Sequence, residues 1–253
     1  MKITALPAPK YHLNNYIWIL ELEDNVVCID PTQEDIVLEY TKRNNLSIQH
    51  FWITHGHQDH LAGLAGLLSH FPQTEVRGSP LVLLTNQPVR DGDTFLIGEN
   101  KVEVWETRGH KRDHVIFILK LDRLHIFCGD ILFSAGCGRV LDGTIQELYE
   151  SICRINTLPE NSLFYPAHEY TQHNLEFAKY VEPSNEVVKS TLLHIQNNPH
   201  ITLPVTLKHE RQVNPFLRVQ EPEIIQRVRK QIPNVDNTPL GIFSGLRTLR
   251  NQF

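Results

Sequence analysis

Four side chains that can bind a metal ion fall within six consecutive residues, at His55, His57, Asp59 and His60. On an α-helix, residues two apart point about 200° away from each other, so His55 and His57 can share one ion only in an extended or looped backbone. Gly56 between them permits such a backbone. Four ligands exceed what one tetrahedral ion with an open position takes from a single segment. The spacing therefore predicts two metal ions, with His55 and His57 on one and Asp59 and His60 on the other.

Further ligand candidates follow other segments that have the pattern of a strand. His110, Asp130 and His168 each come after a glycine or another small residue at such a point. Open α/β sheets place ligands at the carboxyl edge of their strands, so these residues are expected to complete the two metal shells. The two oxygens of a carboxylate can bridge two cations, which suits Asp130. His114 is a candidate for orienting His110 or Asp130, since ligating groups usually need such partners.

Hydrophobic periodicity indicates the elements that must position these side chains. Strands are predicted at residues 16–20, 25–30, 47–54, 101–106, 114–120, 124–128 and 162–165, and helices at 34–45, 61–71 and 144–156. After about residue 168 the patterns are helical, at 172–180, 184–196, 222–231 and 239–250, with a loop-like connection at 197–215. The chain is therefore expected to fold as a mixed α/β (α+β) metal-binding catalytic domain at 1–168 and a helical C-terminal domain at 169–253.

Composition narrows the function classes. The 253 residues are 41% hydrophobic and 21% charged, which is typical of a globular protein large enough to form its own core. No apolar run approaches the roughly 20 residues of a membrane span, and the N-terminus lacks the pattern of a signal peptide. A net charge of −5 disfavours nucleic-acid or membrane partners. Cys28, Cys128, Cys137 and Cys153 are widely spaced, which favours free thiols and a cytoplasmic location.

Thr54–His60, with the sequence THGHQDH, resembles the T-H-x-H-x-D-H signature of the metallo-β-lactamase superfamily. Residues 128–139, 167–171, 214–218 and 246–253 resemble one branch of it, the glyoxalase II (hydroxyacylglutathione hydrolase) family. The resemblance spans nearly the whole chain. It implies a four-layer αββα sandwich followed by an all-helical C-terminal lobe.

The resemblance also implies the roles of individual residues. The first metal would be held by His55, His57 and His110, the second by Asp59, His60 and His168, and Asp130 would bridge them. Asp59 and Asp130 would be the catalytic residues, with Asp59 orienting the nucleophile. The glutathione moiety would be held by Arg139, Tyr170, Arg247 and Arg250. Zinc is the expected metal, with iron or manganese as alternatives, and the protein is expected to be a monomer.

The expected reaction is hydrolysis of S-2-hydroxyacylglutathione, such as S-D-lactoylglutathione, to D-lactate and glutathione, the second step of methylglyoxal detoxification. Two divalent ions can bring the pKa of a shared water near neutrality, and the resulting hydroxide would attack the thioester. Two alternatives remain open. One is another hydrolase of the superfamily, such as a lactonase, β-lactamase or phosphodiesterase. The other is a non-catalytic metal-binding or redox module.

The chain departs from the family pattern at several positions near the expected site. The family commonly has Thr-Pro-Gly-His-Thr-x-Gly-His where this chain has Thr107–His114, so Asp113 replaces a glycine and the loop is more charged. Gly56 stands where many relatives have histidine or another larger residue, and Leu141 stands where some have a tyrosine that contacts glutathione. These changes are expected to affect loop shape and substrate affinity.

Overall fold

Two mixed six-stranded β-sheets form the centre of the structure, a computed structural model that describes residues 1–9, 14–22, 24–198 and 202–253. The first sheet has the order β1–β2–β3–β4–β5–β6, with strands Lys2–Ala8, Asn15–Leu22, Asn25–Ile29, His50–Trp52, Glu75–Gly78 and Gln87–Pro88. The second has the order β14–β13–β10–β9–β8–β7, with strands Val205–Thr206, Leu163–Pro166, Leu124–Gly129, Val115–Lys120, Asn100–Glu106 and Thr94–Ile97. A short hairpin joins β11 (Leu132–Phe133) to β12 (Gly136–Cys137).

The helices lie on the outer faces of the sheets. The first sheet is covered by helices that follow its strands in sequence, α1 (Glu34–Asn44), α2 (Gln58–Leu61) and α3 (Leu64–His70). The remaining helices are α4 (Ile145–Ile155), α5 (Thr171–Val181), α6 (Glu186–Asn197), α7 (Leu207–Val213), α8 (Pro222–Gln231) and α9 (Pro239–Gln252), with a 3₁₀ turn at Pro215–Leu217. Thr144 caps α4 in a capping box with Glu147.

Successive side chains of the central strands point to opposite faces of their sheet, one toward the other sheet and one toward the helices, so that the structure has four layers. On β2, Ile17 and Ile19 pack toward α1 and α3, whereas Trp18 and Leu20 pack against the second sheet, where they meet Phe117 of β9. Residues of β9 on the other side of the sheet pack toward α4 and the C-terminal helices. Both faces of each central strand are buried, which explains their nearly continuous hydrophobic sequences. The expected αββα sandwich is confirmed.

The C-terminal helices share a core with the second sheet. One buried cluster contains Ile126 of β10 and Ile152 of α4 together with Phe177 of α5 and Phe243 and Leu246 of α9. The segment after residue 168 therefore gains much of its stability from burying apolar surface against the sheet domain.

Some predicted elements differ from those observed. The predicted loop at 197–215 is wrong, because its described part contains β14 and α7; Thr206 caps α7, and Leu207, Glu210 and Val213 form its buried face. The charged residues of α7 conceal this short apolar face in the sequence. The predicted helix at 61–71 begins earlier and is divided at Gly63, whose N–H donates to the carbonyl of Pro31.

The carboxyl ends of several strands meet at one edge of the sandwich. β8, β10 and β13 run in the same direction, since β9 is antiparallel to both β8 and β10 and β10 is parallel to β13. At this edge the two sheets are joined by backbone hydrogen bonds from Val115 to Thr54, at 2.8 Å, and from Tyr16 to Ala167, at 2.7 Å. The edge therefore brings loops from both sheets together.

The four cysteines are free thiols, with Cys28, Cys128 and Cys137 buried and Cys153 exposed. Within the described ranges, no helix combines the length and apolar character needed to cross a bilayer.

Candidate metal centre

Three histidines converge at the edge where the sheets meet. His55 follows β4, His57 is the N-cap of α2, and His110 follows β8. His57 Nδ1 lies 2.8 Å from His55 Nε2 and 3.2 Å from His110 Nε2. One nitrogen from each ring thus faces the same small volume, so the structure brings together the three residues predicted to bind the first metal ion.

Hydrogen bonds behind two of these rings direct their lone pairs into that volume. Thr54 Oγ1 donates to Asp30 Oδ2 at 2.7 Å, so it accepts from His55 Nδ1 at 3.1 Å. His110 Nδ1 donates to the carbonyl oxygen of Arg139 at 2.8 Å. Burial lowers the pKa of His55 well below its usual range and also lowers that of His110. Neutral imidazoles with inward lone pairs are the form that binds metal.

A second group contains Asp59, His60 and His168. Asp59 Oδ2 lies 3.6 Å from His60 Nε2 and 3.5 Å from His168 Nε2. His60 Nδ1 donates to Asp30 Oδ2 at 2.9 Å, and among the described residues no group forms a hydrogen bond with its buried Nε2. A buried nitrogen without a hydrogen-bond partner is costly, and a position facing a carboxylate and a second imidazole suits a metal ligand.

Asp130 lies between the two groups. Its Oδ1 is 3.2 Å from His168 Nε2 and 3.5 Å from His60 Nε2, and its Oδ2 is 3.5 Å from His110 Nε2. Burial would raise the pKa of Asp130, but His168 and His60 hold it well below its usual range. One carboxylate oxygen therefore faces each group, which is the arrangement expected for a bridging ligand.

Two further residues position the ligands. His114 Nε2 accepts from the backbone N–H of Asp130 at 3.1 Å, while its Nδ1 donates to Thr107 Oγ1 at 2.9 Å. His114 thus orients Asp130, one of the two roles considered for it. The sequence patterns do not indicate Asp30, although it directly follows β3, which pairs with β4. Its carboxylate accepts from the N–H of Thr54, from Thr54 Oγ1 and from His60.

The donor set fits divalent metal ions. Three groups of candidate ligands, one of which joins Asp130 to His55 and His60, have donor atoms within 4.8 Å of one another. Burial would lower the pKa of His60, yet Asp130 and Asp30 raise it well above its usual range, so the carboxylates here attract positive charge. Imidazole nitrogens with carboxylate oxygens suit zinc, iron or manganese.

A cavity of about 460 Å³ opens onto both groups and is lined by the four residues predicted to bind substrate, Arg139, Tyr170, Arg247 and Arg250. Tyr170 stacks on His168, with ring centroids 4.8 Å apart and planes at 2°. Burial raises the pKa of Tyr170, so its hydroxyl remains a hydrogen-bond donor at neutral pH.

The two arginines of α9 have different surroundings. Arg250 is half-buried and donates to Asn174 Oδ1 at 3.1 Å; burial, with Arg247 and Arg139 nearby, lowers its pKa to about 10. Arg247 is 5% exposed and donates to the carbonyl oxygen of Cys137 at 2.8 Å. Arg247 therefore anchors the loop after β12 while its charge remains beside the cavity.

The positions that depart from the family pattern also lie near the cavity. Leu141 is 60% exposed at its rim. Gly56 and Asp113 contact each other, with the Gly56 N–H 3.1 Å from Asp113 Oδ2. The charged loop after His110 therefore packs directly against the segment that contains His55 and His57.

Comparison with known families gives two matches that together span most of the chain. Residues 12–168 match the family model described as the metallo-beta-lactamase superfamily. Residues 169–253 match the model described as the hydroxyacylglutathione hydrolase C-terminus.

Relatives of known name match along their full length. A hydroxyacylglutathione hydrolase from Neisseria meningitidis serogroup A is 44% identical over 254 residues, which cover 100% of both chains. One from Vibrio cholerae serotype O1 is 40% identical over 262 residues, again covering 100% of both.

Solved structures share the fold at lower identity. ETHE1 from Myxococcus xanthus has a TM-score of 0.68 and 24% identity, covering 99% of this chain and 98% of its own. TTHA1623, solved in a di-iron-bound form, has a TM-score of 0.61 and 22% identity, covering 86% of this chain and 100% of its own. At these identities the likeness shows the fold alone.

Proposed function

Since the chain belongs to the hydroxyacylglutathione hydrolase family of the metallo-β-lactamase superfamily, we propose that it hydrolyses S-2-hydroxyacylglutathione thioesters. S-D-lactoylglutathione would give D-lactate and glutathione, the second step of methylglyoxal detoxification. The observation that carries this proposal is the convergence of imidazole and carboxylate donors at the inner end of a cavity that arginines line. A metal site alone would fit many hydrolases. The arginine side chains that line this cavity favour a substrate with a negatively charged thiol component such as glutathione.

The first metal would be held by His55, His57 and His110, and the second by Asp59, His60 and His168, with Asp130 between them. When bound, the two cations would lower the pKa of a water molecule at the site and polarise the thioester carbonyl. Zinc fits this mixed nitrogen and oxygen donor set, and iron or manganese would fit as alternatives.

Asp59 would orient the attacking water. Its carboxylate faces the cavity, and Asn15 Nδ2 donates both to Asp59 Oδ2, at 3.3 Å, and to the Asp59 carbonyl, at 3.0 Å. These hydrogen bonds hold the Asp59 carboxylate in one orientation, so that it would accept a hydrogen bond from the attacking water in a fixed direction. Positioning of this kind increases the reaction rate. The leaving thiol has a pKa of about 8.5, so the thiolate departs without a strongly acidic side chain.

The arginines would recognise the glutathione part of the substrate. Glutathione has two carboxylates and one ammonium, so it needs a local positive potential on a chain whose net charge is −5. Arg139 and Arg250 would bind its carboxylates, because planar guanidinium groups suit carboxylate recognition. Arg247 would add to the positive potential, and Tyr170 would donate a hydrogen bond or stack on the peptide.

A single chain supplies all of these side chains, so the proposed active unit is a monomer. A cytoplasmic location fits the exposed free thiol of Cys153, since reducing compartments keep such thiols unpaired.

The test is steady-state hydrolysis of S-D-lactoylglutathione by protein reconstituted with zinc, iron or manganese, beside a small lactone and a phosphodiester. We expect thioester turnover with a kcat/KM above about 10⁴ M⁻¹s⁻¹, within the usual range for enzymes on their own substrates. No thioester turnover, together with rapid lactone or phosphodiester hydrolysis, would reject the proposal and favour another hydrolase of the superfamily.

A further inference from the structure

The carboxylate of Asp113 connects the loops that contain the first group of metal ligands. Asp113 Oδ2 accepts a hydrogen bond from the N–H of Gly56 at 3.1 Å, and Gly56 is the residue between His55 and His57. We propose that Asp113 is a positioning residue, which fixes the backbone between these histidines and so directs both rings toward one metal ion. This inference rests on the metal centre of the proposed function.

The two loops come from different sheets. His55 and His57 follow β4 of the first sheet, while Asp113 lies in the loop between β8 and β9 of the second sheet, which also contains His110. That loop is closed by a hydrogen bond from the N–H of Thr107 to the carbonyl of His114, at 2.9 Å. Because this hydrogen bond closes the loop without any contact to the first sheet, Asp113 can hold the segment that contains His55 and His57 in a fixed position. It thereby contributes to the relative position of His57 and His110.

The contact is buried and its charge is balanced. The side chain of Asp113 is 4% exposed, and Lys111 Nζ lies 3.1 Å from the same oxygen, Oδ2. A buried carboxylate is stable only when it is paired and hydrogen-bonded, and Lys111 and the Gly56 N–H provide these partners at Oδ2. Loss of the carboxylate would leave the Gly56 N–H without its acceptor and the Lys111 ammonium without its nearest counter-ion.

Glycine at position 56 leaves room for the carboxylate. A Cβ atom built on Gly56 would lie 2.6 Å from Asp113 Oδ2, and the other near atoms, Lys111 Nζ and Asp113 Cγ, are at ordinary distances of 3.7 and 3.8 Å. Gly56 does not have a left-handed backbone, so alanine there is opposed by the Asp113 side chain and not by backbone strain. The two positions are therefore sterically complementary.

The first test measures metal binding without substrate. Metal-free full-length protein is titrated with Zn²⁺ against a chromophoric chelator, and the absorption spectrum of the Co²⁺ form reports ligand geometry. Asp113→Ala should weaken Zn²⁺ binding about 10- to 100-fold, as is usual for partners of metal ligands, and should alter the Co²⁺ spectrum. Asp113→Asn keeps an oxygen that can accept from the Gly56 N–H and should weaken binding less than about threefold.

Asp142→Ala is the matched control. Asp142 lies 3.6 Å from Lys111 Nζ, but its side chain is 48% exposed and faces Lys111 and Arg112. This variant should bind Zn²⁺ as the wild type does. Zn²⁺ affinity and a Co²⁺ spectrum that stay at wild-type values in Asp113→Ala would overturn the inference, as would an equal loss in Asp113→Asn and Asp113→Ala.

A double-mutant cycle tests the contact itself. Gly56→Ala alone should weaken Zn²⁺ binding, because its Cβ displaces the Asp113 carboxylate. In the Asp113→Ala background the same change should cost little, so the two effects should not add. Additive losses would show that the residues act separately and would contradict the inference. These readouts need no thioester, so failure of the wild type to hydrolyse lactoylglutathione would reject the proposed function without deciding this inference.

Discussion

Asp130 places one carboxylate oxygen near each of the two histidine groups. Its backbone N–H is held by His114, and its side chain lies within 3.2 to 3.5 Å of His168, His60 and His110. No other described carboxylate contacts both groups in this way, since Asp59 lies against His60 and His168 only. Loss of one Asp130 oxygen should therefore affect the two proposed metal ions unequally.

We predict that Asp130→Asn binds one equivalent of zinc tightly and the second much more weakly. An amide has the size of a carboxylate but provides one acceptor oxygen and no charge. The value of kcat should fall at least about 100-fold with a smaller change in KM, because the affected interaction acts on the reacting atoms. Elemental content after dialysis and steady-state kinetics measure both effects. Two retained zinc ions with normal kcat would contradict a bridging role.

Arg250 allows a complementary prediction about substrate affinity. Arg250→Met should raise KM for lactoylglutathione about 10- to 100-fold with little change in kcat, because a hydrogen bond to a charged group is worth about 1.5–3 kcal/mol and the proposed role of Arg250 is to bind the glutathione moiety, not the reacting thioester. Arg229→Met, in the last turn of α8 and outside the cavity lining, is the control. A KM unchanged by loss of Arg250 would remove this residue from the substrate site.

At the scale of elements, α7 holds the hairpin of β11 and β12 in place. Glu210 Oε2 accepts from the N–H of Ala135 at 2.8 Å, and Glu210 Oε1 accepts from Ser134 Oγ at 3.1 Å. Ala135 has a φ of 56°, a left-handed conformation that requires such support. The hairpin also contains Phe133 and Cys137, which line the cavity. A helix of the C-terminal segment thus shapes one wall of the site.

The burial of the Glu210 carboxyl group should make stability depend on pH. Burial raises the pKa of Glu210 to about 7, so its contribution is fully present below pH 4.5 and is lost as the pH rises through 7. The total effect is about 3 kcal/mol, since one pKa unit is worth about 1.4 kcal/mol. We expect Glu210→Gln to lose less stability than the wild type between pH 5.5 and 8, as measured by urea unfolding of metal-free protein. Parallel pH profiles of the two proteins would contradict this.

For the whole molecule, the metal centre and the hydrophobic core are connected. The candidate ligands come from loops of both sheets, and the second sheet shares its core with the C-terminal helices. Truncation of residues 240–253 would remove the buried Phe243 and Leu246 as well as the cations of α9, so it would damage the fold as well as the substrate site. Single substitutions are therefore the sharper test of this region.

Metal removal should destabilise the whole chain. A ligand at 100 times its dissociation constant stabilises the native state by about 2.7 kcal/mol, which corresponds to about 5–10 °C in Tm for each site in a protein of this size. Chelation should therefore lower Tm by at least this amount, and zinc should restore it while magnesium should not. Calorimetry with and without each ion provides the measurement. A Tm unaffected by chelation would argue against tightly bound metal ions.

The sequence by itself predicted candidate ligands at the ends of strands and a mixed α/β domain followed by helices, and its resemblance to the metallo-β-lactamase superfamily implied the αββα architecture. His55, His57, Asp59 and His60 are close in sequence and follow a buried strand, so local spacing was enough to predict a metal site. Hydrophobic alternation and periodicity likewise predicted most of the central strands and the long helices, because a buried face requires apolar residues at regular spacing.

Only the tertiary structure decided which distant groups meet. The side chains of Asp30 and Asp113 contact segments that contain candidate ligands but lie far from them in sequence. No local sequence pattern indicates such contacts. The packing of α9 also determines the different contacts of its two arginines. Arg247 donates to the Cys137 carbonyl, and Arg250 donates to Asn174. The short apolar face of α7 was hidden among charged residues, since a single buried turn has too few positions to show a period.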